Sequence, residues 1–242
     1  MTKVKNRLLN FDNMIIYQDN DCFLFSLDSV LLSNFVTIKL TDKKIIDLCT
    51  GNAPIPMLLS YRTKARLFGV EVQKKIFDLG FQSVKENGLD KQIELINYDA
   101  KDIDKLFDEE SFDVVTCNPP YFKYKDNSLI NDNMEKAIAR HEVKIKLKDV
   151  VLKAKYLLKN GGTLAMIHRP ERLMEIIYEL KDNGFELKKM QFVYPKLGSE
   201  ANMVLIEAVK NGRTGLKILN PLIVHDDKGN YTEFVRKMFG GE

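Results

Sequence analysis

From Lys43 onward the chain alternates short apolar runs with longer stretches of helical period, which predicts repeated βα units on a mainly parallel sheet. KIIDL (44–48) reads as a strand buried on both faces. The small-residue turn CTGNAP and the apolar run 55–61 follow, then RLFGVEV (66–72) as a second strand. Ile76, Phe77, Leu79, Gly80 and Val84 recur at helical spacing between 74 and 87, and Gly88 stands where a helix C-terminus takes a left-handed residue. QIELIN (92–97) predicts a third strand, the acidic stretch 99–110 a short connection, and FDVVTC (112–117) a fourth strand running into NPPYF.

A long polar loop comes next. Residues 147–158 place Val150, Val151, Ala154, Leu157 and Leu158 on one helical face, closed by Asn160, Gly161 and Gly162, and GGTLAMIH continues as a fifth strand. Pro170 suits a first helical turn, and Leu173, Ile176, Ile177 and Leu180 carry that helix to Gly184. The runs 187–194 and 203–209, joined by PKLGSEAN, predict an antiparallel pair. Upstream, Phe23, Leu24, Phe25, Leu27, Val30, Leu31, Leu32 and Phe35 predict a helical lid within residues 1–42; downstream, HDDKGNY predicts a small hairpin and a terminal helix within 211–242. The expected organisation is one domain over 1–242, with its catalytic α/β sheet at 43–210.

Composition narrows the class. The 242 residues suffice for one large core, and 45 % hydrophobic with 29 % charged residues is the balance of a soluble globule. A net charge of +3 is too weak for a protein that coats nucleic acid indiscriminately. That figure conceals an acidic segment, 86–113, with ten acids against three lysines, and a basic one, 121–160, with ten bases against five acids. Cys22, Cys49 and Cys117 form no CxxC pair, so neither zinc nor redox work is expected, and a reducing cytoplasm fits best. No stretch approaches the roughly 18 apolar residues of a membrane span, so no membrane partner is expected.

Chemistry gathers at three strand ends, where open α/β sheets bind ligands. After the first strand, Asp47-Leu48-Cys49-Thr50-Gly51-Asn52-Ala53-Pro54 lets backbone amides approach a ligand closely. Glu71, at the end of the second, can accept both hydroxyls of a ribose, and Asp99, after the third, an exocyclic amine of adenine. The dinucleotide pattern G-x-G-x-x-G/A is not met, since Cys49 and Ala53 flank a single Gly51. After the fourth strand comes Asn118-Pro119-Pro120-Tyr121. Two prolines fix φ and lack amide hydrogens, leaving the Asn118 side chain and the Pro119 carbonyl as rigid acceptors beside an aromatic ring. That combination suits an NH2 group on a planar conjugated carbon: the acceptors take its two hydrogens, and Tyr121 stacks on the plane.

The series DLCTGNAP, GVEV, NYDA and NPPY resembles the class I S-adenosylmethionine-dependent methyltransferases that methylate amino groups. The resemblance implies a Rossmann-like α/β fold with a seven-stranded, mostly parallel sheet, an antiparallel last strand and helices on both faces. FSLDSVLLSNF, NPPYF, AIARHE and EANMVLIEAVKNG narrow it to the bacterial tRNA adenine-N6 methyltransferases that modify the adenosine beside the anticodon of a valine tRNA. It implies S-adenosylmethionine as cofactor, held by Asp28, Asp47, Thr50, Gly51, Asn52, Glu71, Val72, Asp99, Ala100 and Asn118, with Asp28 closing the methionine end. It gives Asn118, Pro119, Pro120 and Tyr121 to the target base, and implies no metal; no obligate protein partner is readable. Cys49 and Ala53 depart from the superfamily, which usually has glycine there.

Other enzymes use NPPY on guanine N2 or on a glutamine amide, and a binding factor without catalysis is the reading from another class. The chain leaves little room for the separate substrate domains expected of glutamine or DNA enzymes, so guanine-N2 methylation is the nearest rival. Lys123, Lys125, Arg140, His141, Lys144, Lys146 and Lys148, with Lys3, Lys5 and Arg7, are the candidate RNA-gripping residues. His141 reads foremost as a helix-start residue, and His168 and His225 receive no role.

Overall fold

A computed structural model describes residues 3–8, 14–19, 27–121 and 145–240. Lys3–Arg7 (β1) and Ile15–Asp19 (β2) pair antiparallel, and Leu27–Phe35 forms helix α1. The βα core comprises β3 (Lys44–Leu48), α2 (Pro54–Ser60), β4 (Arg66–Glu71), α3 (Lys74–Glu86) and β5 (Ile93–Asn97). A 3-10 turn (Ala100–Lys105) leads to β6 (Phe112–Cys117). Then come α4 (Leu147–Leu157), β7 (Leu158–His168), a 3-10 turn at Pro170–Arg172, α5 (Leu173–Asp182), β8 (Phe185–Lys196) and β9 (Met203–Lys210). Two short strands, β10 (Lys217–Ile218) and β11 (Leu222–His225), precede α6 (Glu233–Met238).

In the main sheet β3 lies between β4 and β6, all parallel; β5 extends one side and β7 the other. β9 enters antiparallel between β7 and β8. These seven strands realise the expected sheet with its antiparallel last strand. β10 and β11 each add to β8 in parallel, bringing the sheet to nine strands rather than seven.

Strand alternation divides the core. Ile45 packs with Leu31 and Leu32 of α1 and Leu58 of α2, whereas Ile46 and Leu48 pack with Val150 and Val151 of α4 and Ile176 and Leu180 of α5. Ile45, Ile46 and Leu48 are each at most 1 % exposed. Burial of such side chains stabilises by about 2 kcal/mol each, which is why so short an apolar run is fixed as a central strand.

Three expectations are corrected. Lys3–Arg7 and Ile15–Asp19 contribute an antiparallel strand pair rather than helix: the backbone of β2 docks on α3, with Tyr17 N donating to Ser83 Oγ at 2.9 Å and Ile15 exchanging bonds with the Asn87 amide. The helical part of the expected lid is α1; Phe23, Leu24 and Phe25 lie outside the described residues. Second, Asn160, Gly161 and Gly162 do not close a helix but sit within β7, at a register shift opposite Phe112 and Val114. A Cβ on Gly162 would stand 2.8 Å from Lys159 O and 3.1 Å from Asp113 O, so this close strand passage requires glycine. Third, the two ends of HDDKGNY, His225 and Tyr231, meet in a single antiparallel bridge rather than a two-stranded hairpin, 222–225 pairing with β8, while the expected terminal helix is α6.

Candidate active site

Leu48 and Cys117 are register partners, so the carboxyl ends of β3 and β6 emerge side by side where strand order reverses. The turn after β3 alternates left-handed residues: Cys49 at φ 59°, Gly51 at 59° and Ala53 at 70°. Glycine-type backbone is thus kept at three alternating positions although only one holds glycine, at a cost of about 1 kcal/mol for each of the other two. Two bonds brace this path, Thr50 N to Val70 O at 2.9 Å and Ala53 N to Thr50 O at 3.0 Å. Gly80 of α3 lets the helix touch the turn, since a Cβ there would stand 3.0 Å from the Asn52 carbonyl carbon. On the other side, a Cβ on Gly51 would meet nothing within 4 Å, so its backbone faces open space.

Glu71 clasps this turn. Its Oε2 accepts from Gly51 N at 3.0 Å and its Oε1 from Gln73 N at 2.8 Å, and the residue is 6 % exposed. Burial raises its pKa, against those two amides. Each oxygen retains a further lone pair, the complement of a ribose diol. Next to it Val72 offers an exposed apolar surface, and the Asn97 amide binds the carbonyls of both Glu71 and Val72. Asp99 caps the 3-10 turn by accepting from Lys101 N at 3.0 Å and stays partly exposed, while Ala100 is buried.

Asp47 is buried at the end of β3 with one oxygen on Thr116 Oγ1 at 2.6 Å. Burial pushes it up to about 7, with Glu71 adding and the hydroxyls of Thr116 and Thr50 opposing. Among the described residues neither Asp47 Oδ2 nor Thr50 Oγ1 has a hydrogen-bond partner. Asn52 is committed to the scaffold: its side-chain nitrogen donates to Tyr17 O at 2.9 Å and fastens β2 to the turn. The donor set nevertheless fits a cationic nucleoside cofactor, because buried and half-buried carboxylates converge around an open stretch of glycine backbone.

Pro119 and Pro120 are buried at the end of β6. The Tyr121 hydroxyl reaches both Asn118 Oδ1 and, at 2.9 Å, Asp28 Oδ2. One phenolic hydrogen serves two acceptors, and Asp28 thereby ties α1 to the loop after β6. Burial pushes the Tyr121 phenol well above its usual pKa, and the Asp28 charge adds to this. The structure thus brings together Asp28, Asp47, Thr50, Gly51, Glu71 and Asn118 through Tyr121 at one edge of the sheet. Lys123, Lys125, Arg140, His141 and Lys144 lie outside the described residues. Lys146 is exposed at the start of α4, where its amide donates to Asp149, and Lys5 is paired with Glu86.

Sequence reasoning missed Arg172 and His168. Arg172 Nη1 donates to Tyr121 O at 3.3 Å, and the His168 ring lies 5.3 Å from that of Tyr121. The available signal was position: HRPER follows the fifth strand on the same carboxyl edge as NPPY.

Fold and topology together define a class I methyltransferase architecture. The chain belongs to the Eco57I restriction-modification methylase family, whose sequence model matches residues 30–192. A relative from Phocaeicola vulgatus named tRNA1(Val) (adenine(37)-N6)-methyltransferase is 25 % identical over 201 residues, covering 83 % of each chain. Further relatives carry the same name. The crystal structure of a predicted O-methyltransferase from Agrobacterium tumefaciens matches with a TM-score of 0.69 and 24 % identity, covering 88 % of this chain and 96 % of that one. A geranyl diphosphate C-methyltransferase from Streptomyces coelicolor, solved with S-adenosyl-L-homocysteine, matches with a TM-score of 0.56 and 14 % identity over 75 % of this chain and 79 % of its own. Among the described residues no helix is long and apolar enough to cross a membrane.

Proposed function

We propose that this protein transfers a methyl group from S-adenosylmethionine to N6 of an adenosine in tRNA, the nucleotide beside the anticodon of a valine tRNA. The observation that carries the reading is Asn118-Pro119-Pro120-Tyr121 at the end of β6, beside the Gly51–Glu71 turn, in a chain whose relatives bear that enzyme's name. S-adenosylmethionine, when bound, supplies a methyl group made electrophilic by its sulfonium.

Glu71 and Asp99 hold the nucleoside part, and the Gly51 backbone gives it room. The amine of adenine is a poor nucleophile because its lone pair is delocalised into the ring. Asn118 Oδ1 and the Pro119 carbonyl accept its two hydrogens, which favours the pyramidal nitrogen and stabilises the transition state more than the ground state. In the free protein Asn118 Oδ1 is engaged by the Tyr121 hydroxyl, so the incoming amine replaces that contact while the Tyr121 ring stacks on the base. No general base is needed before attack, since the cationic product sheds its proton afterwards. The cytoplasm, where tRNA is modified, is the compartment this reading requires.

Purified protein with labelled cofactor should label bulk tRNA, and Asn118→Ala should abolish transfer. Nucleoside analysis identifies the product: N6-methyladenosine supports the reading, and N2-methylguanosine replaces it with the guanine rival.

A further inference from the structure

Tyr121 is held from three directions. Its hydroxyl donates to Asp28 of α1, its carbonyl accepts from Arg172, and its ring packs against His168 at 5.3 Å with the planes inclined by 60°. The last two contacts come from one segment, the HRPER turn that joins β7 to α5.

Both residues are built for fixed positions. Arg172 is 11 % exposed, and its fork is locked by Glu175, with Nη2 at 2.7 Å from Oε1 and Nε at 3.3 Å from Oε2. A guanidinium pinned by a carboxylate aims its remaining donors in one direction, and here Nη1 meets the Tyr121 carbonyl. His168 has no exposed surface. Its Nδ1 accepts from Arg169 N at 2.8 Å, so the ring hydrogen is on Nε2, which has no hydrogen-bond partner among the described residues. A buried donor without an acceptor is costly in a packed core, and the aromatic ring beside it is that of Tyr121.

We propose that His168 and Arg172 are positioning residues for the target base: they hold the plane and depth of the Tyr121 ring so that a flipped purine stacks with its amine at Asn118. The assignment of the base rests on the function proposed above; the bracket on Tyr121 stands on the contacts alone. A displacement of about 1 Å at a reacting centre can lower a rate about a hundredfold. An unbraced Tyr121 would still stack, but out of register with the acceptors, so the loss falls on kcat.

Two measurements on His168→Asn, Arg172→Gln and the conservative Arg172→Lys test this. Nitration of the free protein by tetranitromethane, mapped by peptide mass spectrometry, should rise at least fivefold at Tyr121 in His168→Asn and Arg172→Gln. Tyr156 and Tyr178 should be unchanged, and Arg172→Lys should lie between. In methyl transfer, the two disruptive variants should lose tenfold or more in kcat, with KM for the cofactor unaltered. Tyr121 remaining as protected as in the wild type, or kcat remaining intact, overturns the proposal. A wild type that methylates no RNA overturns the functional reading alone, and nitration still decides whether the bracket exists.

Discussion

Gly51 donates its amide to Glu71 at 3.0 Å, across 20 residues of sequence. The bond joins the turn after β3 to the end of β4, so the carboxylate proposed to hold the cofactor also shapes the backbone proposed to lie against it. The second oxygen holds Gln73 N and starts α3 in the same way.

Glu71→Gln tests that double duty. An amide has one acceptor oxygen, and its NH2 would face either the Gly51 or the Gln73 amide, donor against donor. Stability should fall by about 1 to 3 kcal/mol, the cost of leaving a buried donor unmet, and affinity for S-adenosylmethionine should fall at least about tenfold. Thermal unfolding and calorimetric titration read the two effects separately.

Cys49 and Ala53 occupy backbone that glycine adopts freely. Ala53→Gly relieves a left-handed penalty of about 1 kcal/mol, but it adds about 0.4 to 1 kcal/mol of unfolded-state entropy and removes a fully buried methyl worth about 0.8 kcal/mol, so stability should stay level or fall by up to about 1 kcal/mol. Denaturant melts would show a midpoint no higher than that of the wild type, with unchanged slope. The neighbouring Gly80→Ala should be destabilising. Its Cβ would press on the Asn52 backbone, and overpacking of about 1 to 3 kcal/mol outweighs the gain of about 1 kcal/mol in helix propensity.

These positions show what is legible locally. KIIDL and FDVVTC form strands over the boundaries read from the sequence, because a run buried on both faces carries its own signal. The cofactor turn was legible from its residue types, and its geometry survives two non-glycines because Val70, Gly69 and Gly80 hold it in place. The strand at KVKNR was not legible: those residues show no apolar alternation, and the strand they pair with is fixed by Ser83 and Asn87, far along the chain. Likewise β11 is captured by a strand about thirty residues upstream, and no local pattern announces a parallel edge pairing. His168 looked unremarkable for the same reason. Its role comes from Tyr121, which only the adjacency of β6 and β7 brings near.

RNA affinity should depend steeply on salt. Stacking roughly offsets the cost of flipping a base, so phosphate contacts must supply most of the net affinity, and neutralising even a few phosphates weakens binding about tenfold or more between 50 and 200 mM salt. Fluorescence anisotropy with labelled tRNA measures it. A flat Kd would show that the basic segment does not carry the grip.

Two buried groups set opposite pH dependences. Burial, with the Arg172 charge adding, depresses His168 to about 4, below its usual value near 6.5. The unfolded chain therefore binds the extra proton between those values, and this contribution to stability is present above pH ~6.5 and lost as pH falls toward 4. Asp47 runs the other way. Raised to about 7 from the usual carboxylate range, it makes the folded state the better proton binder, so its contribution weakens as pH climbs from about 4 to 7. In the wild type the two slopes largely cancel over the shared window. Asp47→Asn keeps an acceptor for Thr116 and removes one slope. The variant should exceed the wild type in stability at pH 7.5, by an amount on the order of 1 to 4 kcal/mol, and should lose that stability on acidification through the histidine range. Urea unfolding at half-unit pH steps decides it; a variant whose stability is independent of pH between 4 and 6.5 would show that His168 is not held neutral by its burial beneath Tyr121.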